Sequence, residues 1–185
     1  MKRQDVLKVL FATALCAGTC VRGWPQSSAG SAIVTCVIKV AGVQSDCPAG
    51  WKIVEETKRG STIGNFDRPD KTGNLTIPLG RATIAIYPMP GLYRNFKEWV
   101  YAATKNAPDA VQTNKTLPNK AAGSIKVVCF TPPDSQRGWT YESYFFEING
   151  TSVNLELNYQ STAQNASEYR ATLDRLVESL EASRH

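Results

Sequence analysis

Residues 141–159 read YESYFFEINGTSVNLELNY, two alternating apolar and polar runs that meet at Asn149-Gly150. A type I′ turn needs positive φ at both central residues, and Asn and Gly tolerate that best. The dipeptide therefore predicts a tight β-hairpin. With the turn placed there, Phe146 faces Val153, Tyr144 faces Leu155 and Glu142 faces Leu157, so one face of the pair is nearly all apolar. The other face, with Tyr141, Ser143, Phe145, Glu147, Ser152, Asn154 and Glu156, is mixed. After Tyr159 a polar run from Gln160 to Asn165 loops out. Tyr169, Leu173, Leu176, Val177 and Leu180 then recur at helical spacing behind Ser167, the expected N-cap. A helix with one apolar stripe, following directly on a half-apolar hairpin, is expected to cover it.

Working back from the hairpin, Ile33 to Val40 is a β-branched run expected to be a strand. Cys47-Pro48-Ala49-Gly50 is a turn, and Trp51 to Glu55 alternates as a strand. Lys58 to Asn74 contains Gly60, Gly64, Pro69 and Gly73 and is expected to be mostly loop, broken by a short strand near Ile63 to Phe66. Ala82 to Tyr87 sets Ala82, Ile84 and Ile86 against Thr83, Ala85 and Tyr87, the pattern of a strand covered on both faces. Pro88 to Gly91 stops it. Asn95 and Glu98 then stand at capping-box spacing and open a helix. Its stripe of Phe96, Trp99, Val100, Ala103 and Ala107 ends before Pro108 and reads as core rather than as a cage for a cofactor. Val111 to Leu117 and Ser124 to Phe130 are two further strands, giving a mixed but mainly antiparallel sheet.

The chain has 185 residues and a 42% hydrophobic content, enough for one domain with a sizeable core. Met1 to Cys20 has the form of a secretory leader, with Lys2 and Arg3 at the basic end and a short apolar run from Val9 to Gly18. That run is about half of the ~20 apolar residues a membrane span requires, so no span is expected. The organisation expected is a signal peptide over 1–20, a Gly, Ser and Pro-rich tether over 21–32, and a single domain over 33–183. Cys20 is the candidate for lipidation, although Ala17 and Thr19 depart from the usual lipoprotein box. The formal net charge of +5 falls to about +3 without the leader, and the basic residues are scattered apart from Lys58-Arg59, which excludes a nucleic-acid footprint.

Of the five cysteines, Cys36, Cys47 and Cys129 lie beyond the leader. No Cys-x-x-Cys is present and the one histidine is His185, so a zinc site lacks its ligand set and no metal is expected. A hairpin turned at Ala41-Gly42 would bring Cys36 opposite Cys47, within reach of a disulfide. Three pairings among these cysteines are open, and so is a core with three reduced thiols.

In chain order, Pro48-Ala49-Gly50-Trp51, a strand, a Gly-rich loop, Ala82-Thr83-Ile84-Ala85-Ile86, the turn Met89-Pro90-Gly91, a helix with Trp99, strands around Leu117-Pro118 and Ser124 to Cys129, the aromatic hairpin and a terminal helix follow one another. This order resembles the PsbP-like superfamily, which includes an extrinsic photosystem protein, a Ran-binding nucleotide-release factor and the bacterial exported DcrB-like proteins, the last being nearest. The resemblance covers about Pro48 to Leu180 and rests on element order and a few residues. It implies an α/β (α+β) sandwich, a mainly antiparallel sheet with helices on both faces. It also implies action by binding or scaffolding, with no shared catalytic residues to carry over. Ile33 to Cys47 is extra to the pattern, and the Asp67 to Pro78 loop is long.

A Ser or Cys nucleophile needs a neighbouring base, and His185 at the chain end offers none that could be positioned. No phosphate-cradling or dinucleotide glycine motif occurs, so no cofactor is expected. Asp67, Asp70 and Asn74 lack the calcium-loop register. Carboxylates Glu55, Glu56, Asp67 and Asp70 in or beside loops leave a hydrolase as the alternative, though solvated loop charges are the favoured reading of them. The first expectation is an exported, non-catalytic binding or accessory protein of the cell envelope, with a protein partner and at most a lipid anchor. Its binding residues are expected on the long loop, at Lys58, Arg59, Asp67, Arg68, Asp70 and Lys71, and at the following turn, at Tyr87, Tyr93 and Arg94.

Overall fold

The computed structural model describes residues 36–183 except 41, 69–72, 132, 134–137 and 161. The expected leader over 1–20, the tether over 21–32, Cys20, Asp70 and Lys71 lie outside the described residues. The elements run β1 (Val37–Val40), β2 (Val43–Asp46), β3 (Lys52–Thr57), β4 (Gly60–Gly64), β5 (Ala82–Pro88), α1 (Phe96–Asn106), β6 (Val111–Asn119), β7 (Gly123–Thr131), β8 (Trp139–Ile148), β9 (Thr151–Gln160), α2 (Ala166–Ser179) and β10 (Glu181–Ala182).

Asn149 has φ 49° and Gly150 φ 78°, the conformation that the Asn-Gly dipeptide was read to supply. β8 and β9 accordingly pair with Phe146 opposite Val153, Tyr144 opposite Leu155 and Glu142 opposite Leu157. They lie inside a seven-stranded sheet of order β3-β4-β5-β9-β8-β7-β6. Every pair in it is antiparallel, so the mixed component expected from sequence is absent among the described residues.

Adjacent residues of one strand serve two cores, because side chains alternate across a sheet. Phe146, Leu155, Leu157, Ile84 and Ile86 face α2, which contributes Leu173, Leu176 and Val177. Phe145 and Phe130 point the other way and meet Trp99 of α1, whose ring stands edge-on to Phe145 at 5.1 Å. The result is an α+β sandwich with a helix on each face.

α1 begins as its spacing predicts, with the Asn95 side chain accepting from the Glu98 N–H at 2.9 Å. The reciprocal bond differs, since Glu98 accepts from the N–H of Arg94 rather than from that of Asn95. α2 starts earlier than the Ser167 cap implied. The Asn165 carbonyl accepts from both Glu168 and Tyr169, and no side chain caps that end. Its other end is held from the sheet: buried Asn119 donates to the Val177 and Leu180 carbonyls at 2.6 and 3.0 Å, while its own oxygen takes the N–H groups of Ala121 and Ala122. β6 therefore runs through Pro118, which an edge strand tolerates.

The short strand expected near Ile63 to Phe66 within Lys58 to Asn74 stands a few residues earlier. Gly60–Gly64 is a strand paired with β3 and β5. Its first glycine is required by close approach, because a Cβ on Gly60 would fall 2.1 Å from the Ile86 carbonyl oxygen. The segment extra to the family pattern forms β1 and β2, which join β10 in a three-stranded sheet. Cys36 and Cys47 are joined by a disulfide with Cα atoms 5.3 Å apart, and the Cys47 N–H donates to the Cys36 carbonyl at 2.8 Å.

Candidate functional site

The β3–β4 turn and the β5–α1 turn stand side by side because β4 and β5 are neighbours. In the first, the Arg59 N–H donates to Thr57 Oγ1 at 3.1 Å and that hydroxyl donates to the Gly60 carbonyl at 3.2 Å. This fixes the turn while Lys58 and Arg59 point into solvent. The second turn is fastened by the Met89 N–H on the Ser152 carbonyl at 2.9 Å and by Tyr93 on Pro90 at 3.1 Å. Between them runs a groove of about 640 Å³, with Lys58, Arg59 and Thr57 on one wall, Met89 to Leu92 on the other, and Ser61, Ile86 and Tyr87 between them. Leu92 is 72% exposed, an apolar side chain beside the exposed cations Lys58 and Arg59.

Of the sequence-derived binding residues, Lys58, Arg59 and Tyr87 converge on this groove. Asp67 and Arg68 sit beyond the opposite end of β4. Asp67 pairs with Lys52, and Arg68 donates to the Val54 and Gly73 carbonyls at 3.1 and 2.9 Å beside Glu55. Arg68 thus ties the segment after β4 onto β3. Tyr93 stacks on Trp99 in the α1 core. Arg94 pairs with Glu98 at 3.0 Å, which raises the guanidinium pKa and lowers that of the carboxyl. The long loop and the following turn therefore contribute to different places, because β4 intervenes.

Of the carboxylates weighed for hydrolysis, Glu55 lies at Arg68 and Asp67 at Lys52, while Asp70 lies outside the described residues. Other polar groups cluster under α2. Buried Glu142 accepts from Arg170 Nε at 2.8 and 2.9 Å and from the Tyr159 hydroxyl. Beside them Lys115 meets Asp174 and the Tyr144 hydroxyl. Burial first, and these carboxylates second, push the Tyr144 and Tyr159 phenols far above the usual range. Burial likewise raises the Cys129 thiol, against the opposing pull of Lys115, so this free cysteine is not poised as a nucleophile. Glu142 opposite Leu157 in an apolar face was the sequence signal for this cluster. Among the described residues no group of His, Cys, Asp and Glu could hold a metal ion, and no helix is long and apolar enough to cross a membrane.

No protein-family model matches the chain. It is similar to a glucose 1-dehydrogenase from Haloarcula marismortui, 29% identical over 112 residues, and spans only 28% of that enzyme's length while 58% of its own is covered. Among solved structures it is similar to a crystal structure from Bacteroides thetaiotaomicron, with TM-score 0.47 and 11% identity over 82% of this chain and 50% of that one. It is also similar to the solution structure of cyanobacterial PsbP (CyanoP) from Synechocystis sp. PCC 6803, with TM-score 0.45 and 9% identity over 86% of this chain and all of that one.

Proposed function

We propose that this chain is an exported, non-catalytic binding or accessory protein of the cell envelope, of the PsbP-like kind, that engages a protein partner through the groove between the β3–β4 and β5–α1 turns. The convergence of Lys58, Arg59 and exposed Leu92 carries this reading. Mixed apolar and cationic groups on rigid turns are what a polar-rimmed protein contact needs. Export is supported by the basic and apolar segments of residues 1–20, and the Cys36–Cys47 disulfide suits an oxidising compartment. Accessory rather than catalytic action is supported by the pairing of Asp67 with Lys52 and of Glu55 with Arg68.

Intact-mass spectrometry of the protein purified from its host tests export. The expected mature mass lacks about 18 to 24 amino-terminal residues and is lower by the two hydrogens of one disulfide. An added diacylglyceryl mass would identify Cys20 as an anchor. Met1 retained on cytosolic protein with Cys36 and Cys47 reduced would overturn the proposal.

A further inference from the structure

The two edges of the seven-stranded sheet are finished differently. β3 carries the devices that keep an edge from pairing. Its register shifts between Ile53 and Glu55, it bears Lys52, Glu55 and Glu56, and Arg68 lies across it onto the Val54 carbonyl. β6, at the other edge, is open: among the described residues no strand pairs with its outer side. Its nine residues follow β7 without a register shift. Its one charge, Lys115, is turned onto Asp174 and the Tyr144 ring, away from the edge. Gln112, Asn114 and Thr116 are exposed, and Val111 is 63% exposed.

Pro118 has no N–H, and an edge strand holds such a residue with its nitrogen outward. In an antiparallel ladder the direction alternates, so Gln112, Asn114 and Thr116 also turn their N–H and C=O groups outward. The strand suits a copy of itself. An antiparallel pair centred on Asn114 sets Gln112 against Thr116 and Asn114 against Asn114, and these facing residues exchange both backbone bonds. It also sets exposed Val111 against Leu117 and Thr113 against Lys115, so no like charges meet. Beyond the strand, the end carrying Asp109 comes beside the end carrying Lys120, both exposed and of opposite charge. Centring the pair on Lys115 instead would oppose two lysines and set Gln112 against Pro118. Centring it on Thr113 would shorten it and move Val111 onto Lys115.

We propose that β6 joins two copies of this chain edge to edge about a two-fold axis at Asn114, making one continuous antiparallel sheet. The paired segment is Val111 to Leu117, so Ser124, beside Pro118 on β7, stays outside it. The β3–β4 turn lies at the opposite edge of the sheet, so the dimer leaves both grooves open.

Sedimentation equilibrium of the purified protein tests this. A contact of one strand pair belongs to the small, weak class of interface, so a dimer that dissociates on the order of 0.1 mM is expected. Asn114→Pro should weaken it about tenfold or more, because the N–H of both copies at the axis is lost. Within one chain that N–H bonds nothing, so folding should survive. Charge at the axis gives a second measurement that does not depend on proline. Asn114→Lys should weaken the dimer about threefold or more, and mixing it with Asn114→Glu should restore association. A monomer up to about 1 mM, a dimer indifferent to Asn114→Pro in a folded chain, or a mixture of the two charged variants that associates no better than either alone would overturn the proposal.

Discussion

Phe146→Ala is expected to lower the folding free energy by about 3–5 kcal/mol. Phe146 is the largest of the fully buried side chains and lies in the core beneath α2, opposite Val153 and among Leu155, Leu157 and Leu173. Truncation loses the transfer energy of the ring and leaves a cavity that hydrogen-bonded strands on both sides cannot close. Urea unfolding should show a lower midpoint with an unchanged slope. Phe145→Ala, one residue away, empties the other core and should loosen α1 instead, seen as faster amide exchange over Phe96–Asn106. A loss below about 1 kcal/mol for Phe146→Ala, the range of a surface change, would mean that α2 does not pack on this face.

The second large effect concerns the polar pair inside that layer. Arg170→Met is expected to cost about 2–3 kcal/mol, below the range for a fully buried pair because Arg170 itself is half exposed. The variant leaves Glu142, whose side chain is 6% exposed, with the Tyr159 hydroxyl as its remaining partner in the cluster. The cost is that of stranding a buried charge, so it should largely vanish when the charge goes too. Glu142→Leu combined with Arg170→Met should recover most of the stability, and a double-mutant cycle by chemical denaturation measures the coupling. Additive losses in the two single variants would contradict a coupled pair.

The central hairpin and both helices were legible from local chemistry: Asn149-Gly150 dictates positive φ, Asn95 and Glu98 stand at capping distance, and alternation assigns Phe145 and Phe146 to opposite faces. Features set by long-range contacts were not. The short strand expected near Ile63 to Phe66 begins earlier, at Gly60, a residue read as loop that is held in the sheet where it admits the Ile86 carbonyl. Asn119 carried no sequence signal, yet it holds the end of α2 through carbonyls 58 and 61 residues away. The candidate site was legible only in part. Lys58, Arg59 and Tyr87 meet because β4 lies between β3 and β5, and reading the segment around this short strand as one binding loop merged two separate surfaces.

The groove is tested most directly by photo-crosslinking in the producing cell, with a photoreactive residue at position 92 and, as an exposed control at the far edge of the sheet, at position 124. A discrete adduct is expected from position 92 and none from position 124. The adduct should disappear when Lys58→Glu and Arg59→Glu are combined in a chain with unchanged melting temperature. The same adducts from both positions, or an adduct at 92 indifferent to the charge reversal, would contradict the groove as the contact surface.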